Sequence, residues 1–258
     1  MKIVTWNVNS VRTRIDHLIN LIKKYSPDII CLQETKVTND SFPEKKFLEF
    51  DYFSYFCGIP SYNGVAILSK IKAQKVQSYN FCNKKDARHI QINLGQCQIH
   101  SIYVPAGGDL PDQKLNDKFK HKLTFLDEMD KWSLKLEKKN ILCGDLNIAP
   151  FEDDVWSHKS LENVVSHTKI ERDKLIKIIK NGKWIDCVRE FINPPKNVYT
   201  WWSYRSPDFT KNNRGRRLDH IWISNGMKKD LKEVEILKEF RKLIKPSDHV
   251  PIIIDLKI

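Results

Sequence analysis

In the stretch Ile141-Leu-Cys-Gly-Asp-Leu-Asn-Ile-Ala-Pro150, a short apolar run, Ile141 to Cys143, enters a glycine, carries Asp145 and Asn147 past it and stops at Pro150. Ile-Leu-Cys has the pattern of a short buried strand, and Gly-Asp-x-Asn that of its loop end. Side chains two apart on an extended segment point the same way. Asp145 and Asn147 are therefore expected to present a carboxylate and a carboxamide together, just past a rigid strand. An isolated match of this kind reads more simply as an Asp/Asn turn. What shifts the balance is recurrence, because four other strand-like runs in the chain also end in polar groups of catalytic type.

Those runs lie on both sides of it. Lys2 to Val8 alternates and ends at Asn7 and Asn9. Thr13 is placed to cap a helix striped by Ile15, Leu18, Ile19 and Ile22, which Ser26-Pro27 stops. Asp28 to Gln33 reads as a buried strand ending in Glu34 and Lys36, followed by a short helix within 40–50. Tyr52 to Phe56 and Gly64 to Ser69 read as paired strands. Ala87 to Leu94 and Cys97 to Val104 read as a hairpin turning at Gly95-Gln96, its second strand ending at Tyr103-Val-Pro. Asn116 to Lys139 is patterned as a long helix, and Glu171 to Lys180 as another with Gly182 at its C-cap. Tyr199 to Tyr204 is strand-like and aromatic. Arg217 to Ser224, Val234 to Leu237 and Pro251 to Leu256 supply closing strands. Strand pairs without regular crossover helices argue against a purely parallel sheet. Two mixed sheets packed face to face with helices outside, in one domain spanning 1–258, fit better.

Composition sets the class of partner. The 258 residues carry 44 Lys+Arg against 32 Asp+Glu, a formal charge of +12, which suits a polyanion such as nucleic acid or an anionic membrane. Lysine runs such as Lys135 to Lys139 are equally explained as solvated helix faces. None of the six cysteines forms a C-x-x-C pair, and with no signal peptide the expectation is reduced thiols in the cytoplasm. No apolar run reaches the roughly 18 residues of a membrane span.

Several groups carry possible chemistry. Glu34 past a buried strand suits a hard-cation ligand with Asn7 and Asp248 as helpers, or a helix N-terminal glutamate held by the dipole. Asp248 and His249 are adjacent and point apart, so the partner of His249 must come from elsewhere, and Asp219 is the candidate. A carboxylate behind an imidazole fixes its tautomer and favours its charged form, which suits a phosphate; a structural His–Asp pair is an equal reading by spacing alone. Tyr103 offers a phenol to a phosphate or leaving oxygen, or a hydrogen bond to backbone. Tyr199-Thr-Trp-Trp-Ser-Tyr-Arg205, followed by Arg214, Arg216 and Arg217, combines stacking faces with guanidinium groups, as nucleic-acid binding requires, although a core strand would also be aromatic.

Taken together, Thr5-Trp-Asn-Val, Leu32-Gln-Glu-Thr-Lys36, Asn63-Gly-Val-Ala, Tyr103-Val-Pro, Gly144-Asp-Leu-Asn147, Trp201-Trp-x-Tyr-Arg205, Arg217-Leu-Asp219 and Ser247-Asp-His249 follow the order and spacing of the exonuclease III family. The chain thus resembles the bacterial apurinic/apyrimidinic endonucleases of the wider endonuclease/exonuclease/phosphatase superfamily, from Lys2 to Leu256. The resemblance implies a DNase I-like, four-layered α/β sandwich and a Mg²⁺ or Mn²⁺ enzyme; a monomer is assumed. Its substrate would be double-stranded DNA with abasic sites or blocked 3′ ends, cut 5′ to the abasic site. It also implies 3′-5′ exonuclease, 3′-phosphodiesterase and 3′-phosphatase activities. Carried over by position, Glu34 resembles the main metal ligand with Asn7 and Asp248 close by, and Asp145 the group that activates water. Asn147 resembles the holder of Asp145 and the phosphate, with both Asp145 and Asn147 near the metal. His249 backed by Asp219 resembles the phosphate contact, and Tyr103 the residue beside the leaving oxygen. Tyr62, Arg88 and Arg205 stand at DNA-touching positions, and Trp201 at the wall of the abasic-sugar pocket. Three positions depart from the pattern: Asn9 for an Asp near the metal, Ala106 for an Asn or Gln, and Arg216 for an aromatic wall. A phosphatase or phospholipase of the same superfamily and a catalytically silent DNA-binding protein are the competing readings. The basic charge argues against the first, and the full set of polar strand ends against the second.

Overall fold

The computed structural model describes residues 1–137, 139–205 and 208–258. Among the described residues, twelve strands form two sheets of six. The first holds β1 (Lys2–Asn7), β2 (Ile29–Gln33), β3 (Phe53–Cys57), β4 (Val65–Ser69), β11 (Leu231–Ile236) and β12 (Ile252–Leu256), in the order β11-β12-β1-β2-β4-β3. The second holds β5 (Lys75–Gln77), β6 (His89–Asn93), β7 (Gln98–Tyr103), β8 (Asn140–Asp145), β9 (Trp184–Asp186) and β10 (Asp219–Ser224), in the order β5-β6-β7-β8-β10-β9. Each sheet is mixed: β1–β2 and β7–β8 run parallel, and the remaining pairs antiparallel.

Period-two alternation explains the layering. Ile3, Ile29, Cys31, Val65 and Ile67 of the first sheet meet Ile90, Ile99, Ile141, Cys143 and Ile221 of the second in one buried core. The alternate residues Val4, Trp6, Ile30 and Leu32 face outward, where α1 (Ile15–Tyr25) and α2 (Glu44–Leu48) cover them. Leu142 and Trp222 do the same beneath α3 (Asp117–Ser133) and α5 (Lys169–Asn181). Shorter helices α4 (His158–Leu161), α6 (Cys187–Phe191) and α7 (Phe209–Asn212) punctuate the connections. The expected α/β sandwich of two mixed sheets with helices outside is the observed one. Gly144 is dictated by this packing: a Cβ there would lie 2.0 Å from the Ile102 carbonyl oxygen of the parallel neighbour β7.

Local expectations differ in several places. Thr13 does not cap α1; its hydroxyl and backbone N–H turn back to Ser10 Oγ, and Arg14 begins the helix without a side-chain cap. Leu21 joins Leu18 and Ile22 on the buried face, whereas Ile19 is only half-buried. Helix α3 ends at Ser133 rather than running to Lys139, and Lys138 lies outside the described residues. Gly182 does cap α5, but in right-handed geometry. Tyr199 to Tyr204 is no strand: Thr200 and Trp201 bond to Arg216, and Trp202 then turns to Asp248, so the segment stitches two others together. Strands β5 and β9 were not anticipated, each being only three residues long.

Candidate active site

Register brings the polar groups to one end of the sandwich. Asp145, the last residue of β8, pairs with Tyr103 at the end of β7 and with Asp219 at the start of β10. Three chemistry-bearing residues thus stand abreast on adjacent strands. In the facing sheet Asn7 and Gln33 close β1 and β2 side by side, Glu34 follows in left-handed conformation at φ 51°, and His249 lies just before β12.

The two sheets meet through side chains at this end. Asn7 Nδ2 donates to Glu34 Oε1 and to Asp145 Oδ2, each at 2.9 Å. Tyr103 Oη donates to Glu34 Oε1 at 2.8 Å. Asp145 and Asn147 do converge, but not as alternate residues of an extended strand. Asn147 turns left-handed at φ 53°, so that its backbone N–H reaches Asp145 Oδ1 at 2.9 Å and its Nδ2 reaches Oδ2 at 3.2 Å. His249 Nδ1 lies 2.8 Å from Asp219 Oδ2, and its Nε2 lies 3.7 Å from Asp145 Oδ2. The backbone N–H of His249 donates to Ser247 Oγ, which itself donates to the Asn7 carbonyl, so the last loop is tied to β1.

Electrostatics follow from burial set against these partners. Burial lifts the Asp145 carboxyl to about 7; His249 opposes the rise, while Asp219 adds to it. Burial pulls His249 down, but Asp219 and Asp145 outweigh it and hold the imidazole at about 10. Burial, then Glu34 and Asp145, push Tyr103 well above an ordinary phenol, so it stays a neutral donor. For Glu34 burial acts upward, yet Lys36, Asn7 and His249 overcome it and keep the carboxylate ionised.

Two places could attract a cation. Asp145, Asp219 and His249 are grouped closely enough to bind one, and Asp219 Oδ1 is buried with no hydrogen-bond partner. The protonated imidazole, however, already supplies the positive charge there and spends Nδ1 on Asp219. The other place is Glu34. Lys36 Nζ lies 2.7 Å from Glu34 Oε2 and 2.6 Å from Asn9 Oδ1, so the site already stabilises a positive charge among hard oxygen donors. That donor set fits Mg²⁺-like chemistry, which asks for few carboxylates and keeps several waters. Asp248 stands close by, with Oδ1 accepting from Asn9 and Oδ2 from Trp201 Nε1.

These groups open into a cleft of about 740 Å³. Glu34, Tyr103, Asn147, Asp248 and His249 line it together with Trp156, Trp201, Arg205, Arg214 and Arg216. Arg216, at the position of an expected aromatic wall, lies over Trp201 at 5.4 Å and bonds Val165 O and Ser166 Oγ, while Arg214 covers Trp156 at 4.8 Å. Ala106 also lines the cleft and offers no polar side chain. Arg217 leaves the set of DNA-facing arginines: it is wholly buried and held by Asp154 and Asp186. Arg88 does not line the cleft but bonds Asp86 and the Tyr103 carbonyl, with its guanidinium over the Tyr103 ring. Tyr62 stands exposed between β3 and β4, also outside the lining.

Sequence reading overlooked Lys122 and Glu171, a wholly buried pair behind Asn147. A lysine among Phe119, Leu123 and Leu126 on the buried side of α3 was one signal. The Thr-x-x-Glu capping box at Thr168 was the other.

Relatives share the whole architecture. A model of the Endonuclease/Exonuclease/phosphatase family matches residues 4–249. Exodeoxyribonuclease III of Haemophilus influenzae is 27% identical over 275 residues, covering all of both chains. The structure of an AP endonuclease from Archaeoglobus fulgidus superimposes with a TM-score of 0.93 at 31% identity, again over the whole of both chains. That of a 3′-5′ exonuclease from Neisseria meningitidis does so at 0.92 with 30% identity and the same coverage.

Proposed function

The chain belongs to the endonuclease/exonuclease/phosphatase family, and on that premise we propose that it is a DNA repair nuclease of the exonuclease III and AP endonuclease type. It hydrolyses the DNA backbone 5′ to abasic sites and trims or unblocks 3′ ends. The observation that carries the reading is the placement of Asp145. Its buried carboxylate is oriented by Asn7 and Asn147 and faces the His249–Asp219 pair, and its neighbours Asn147 and His249 line a cleft walled by tryptophan and arginine.

The chemistry follows from the groups present. A scissile phosphate in the cleft meets the protonated His249 imidazole, which neutralises charge as it builds on the phosphoryl oxygens. Asp145 takes the proton of a water aimed at phosphorus from the face opposite the leaving 3′ oxygen. The P–O3′ bond breaks as the new P–O bond forms; Tyr103 turns its single O–H from Glu34 to the departing oxygen, which takes up a proton from solvent as it leaves. Asn147 keeps the Asp145 oxygens aimed at the water. Glu34, with Asn7 and Asp248 nearby, would hold a divalent cation, Mg²⁺ with Mn²⁺ as a substitute, which would add charge neutralisation at the phosphate when bound. Trp201, Arg205 and Arg216 hold the displaced sugar and backbone, and Arg88 and Tyr62 contact the flanking duplex. An extruded abasic sugar has no base to unpair, so flipping it costs little.

The aromatic and guanidinium wall favours a nucleic-acid strand over a small or lipid phosphate. No helix among the described residues is long and apolar enough to cross a membrane. We infer a cytoplasmic monomer whose residues 1–258 act as one catalytic unit. The decisive experiment incubates the protein and Mg²⁺ with a duplex carrying one abasic analogue. A nick immediately 5′ to the lesion, lost with EDTA and with Asp145→Ala, is the expected result; equal nicking of undamaged duplex overturns the abasic assignment.

A further inference from the structure

Lys122 is wholly buried on α3, beside Phe119 and Leu123. An ammonium has three donors, and Lys122 Nζ finds three oxygens: Glu171 Oε1 at 2.5 Å, Asn147 O at 2.8 Å and Ala106 O at 3.2 Å. The two carbonyls belong to the loops that leave β8 and β7, just beyond Asp145 and Tyr103. One side chain from an outer helix thus joins the two loops that carry the proposed chemistry.

Glu171 extends the connection to the cleft wall. Its carboxylate, also fully buried, accepts from the backbone N–H of Ser166 and Thr168 and from Thr168 Oγ1. Ser166 Oγ and the Val165 carbonyl in turn receive Arg216, which lines the cleft with them. Taking two charges out of water is costly, and an apolar pair of similar volume often stabilises a core as well or better. What an apolar pair cannot do is hold the Asn147 carbonyl. That carbonyl is the outgoing end of the left-handed turn at φ 53° from which the Asn147 backbone N–H and Nδ2 grip both Asp145 oxygens.

We propose that Lys122 and Glu171 are a positioning pair that locks the Asn147 turn and the Val165–Ser166 wall in register with Asp145, so that they set turnover rather than substrate binding. The proposal rests on the nuclease reading above. Neither residue touches the reacting atoms.

The test compares wild type, Lys122→Met and the double variant Lys122→Met with Glu171→Gln on the abasic duplex. The single variant strands a buried carboxylate, so its thermal midpoint falls; the double variant removes that charge and recovers most of the loss. Should Lys122→Met alone fail to fold, the double variant carries the test. A reacting group displaced by about 1 Å costs on the order of 10²-fold, so kcat of the double variant is expected to stay roughly 10- to 100-fold low while KM changes little. The side-chain amide resonance of Asn147 in a ¹⁵N-correlated spectrum is expected to shift in both variants. Recovery of kcat in step with thermal stability, a loss confined to KM, or an unmoved Asn147 resonance overturns the proposal. If wild type leaves the abasic duplex intact, the nuclease reading fails instead, and the Asn147 resonance still decides whether the pair holds the turn.

Discussion

His249 and Asp219 come from opposite sheets and meet at 2.8 Å, Nδ1 to Oδ2, with the imidazole turned so that Nε2 faces Asp145. Asp219 opens β10 abreast of Asp145, whereas His249 sits on the loop that enters β12. The pair therefore crosses the sandwich at its working end. The imidazole is set between one carboxylate that orients it and another that it faces. Asp248, its chain neighbour, points instead to Asn9 and Trp201.

Replacing Asp219 by Asn keeps the shape but removes the charge that fixes the imidazole. Where a carboxylate orients a catalytic histidine, this change costs up to about 10⁴ in turnover; here it also removes the charge that does most to keep His249 protonated. For Asp219→Asn a loss in kcat of roughly 10²- to 10⁴-fold is expected, with DNA binding largely retained. Steady-state nicking and a binding titration with undamaged duplex check the two halves separately. Turnover within a few-fold of wild type would make the pair a structural one.

The same geometry predicts a bell-shaped pH profile. Asp145, lifted to about 7 by burial, must be ionised to accept a proton, so activity rises as pH climbs through that region. Burial acts to lower His249, but Asp219 and Asp145 dominate and place it at about 10, so the imidazolium is lost and activity falls only as pH passes that value. A bound cation near Glu34 favours the ionised form of Asp145 and moves the acid limb lower. Asp219→Asn removes the main upward influence on His249 and brings the alkaline limb down. Profiles of kcat/KM at two metal concentrations for both proteins test this; an alkaline limb that ignores Asp219 counts against the assignment.

How far the sequence carries can be judged on particular residues. The apolar runs gave strand identity because both faces of each sheet are covered, so patterns such as Ile29 to Leu32 are continuous and hard to mistake. Asp219 was legible as the partner of His249 because a lone carboxylate in a buried strand pattern demands one. Asn147 was placed correctly beside Asp145 for an incomplete reason, since it reaches Asp145 through a left-handed turn, whose carbonyl accepts from Lys122, rather than through strand alternation. Arg217 was misplaced among the arginines that face DNA, because only tertiary structure reveals Asp154 and Asp186 behind it. Short strands such as Trp184–Asp186 exist through pairing with Ser224 and its neighbours, not through their own pattern.

Lys36 gives a prediction about metal affinity. Its ammonium lies 2.7 Å from Glu34 Oε2, where it competes with any cation bound to that carboxylate. Lys36→Gln is expected to tighten Mn²⁺ binding at least about fivefold, since one unit charge at 4 Å is worth roughly 1 kcal/mol even at the dielectric of water. Glu34→Gln should weaken it by at least as much. Calorimetric titration of Mn²⁺ into the DNA-free protein reads both effects without any turnover. Unchanged affinity in Glu34→Gln would move the cation to the Asp145, Asp219 and His249 group.

Asp154 makes the strongest case for a stability effect that reaches the site. It is fully buried and receives Arg217 through Nε at 2.8 Å and Nη2 at 2.9 Å, together with Arg189. Its carbonyl also accepts the Arg217 backbone N–H, two residues before Asp219. Asp154→Ala leaves two guanidinium groups facing a cavity, Arg217 with Asp186 as its remaining carboxylate and Arg189 with backbone carbonyls alone. Removing one partner of a buried ion pair typically costs about 3–5 kcal/mol. In a chain of this size each kcal/mol moves the melting point by roughly 2–4 °C, so a drop of about 10 °C is expected. Because Leu218, between Arg217 and Asp219, anchors Leu146 through its carbonyl, loosening here should also reduce turnover below the melting point. The replacement of Arg217 by Met together with Asp154→Leu removes the main charges at once and should recover much of the lost stability. Calorimetric melting of the single and double variants separates these outcomes. A single variant that melts with wild type would show that the network carries no net stability.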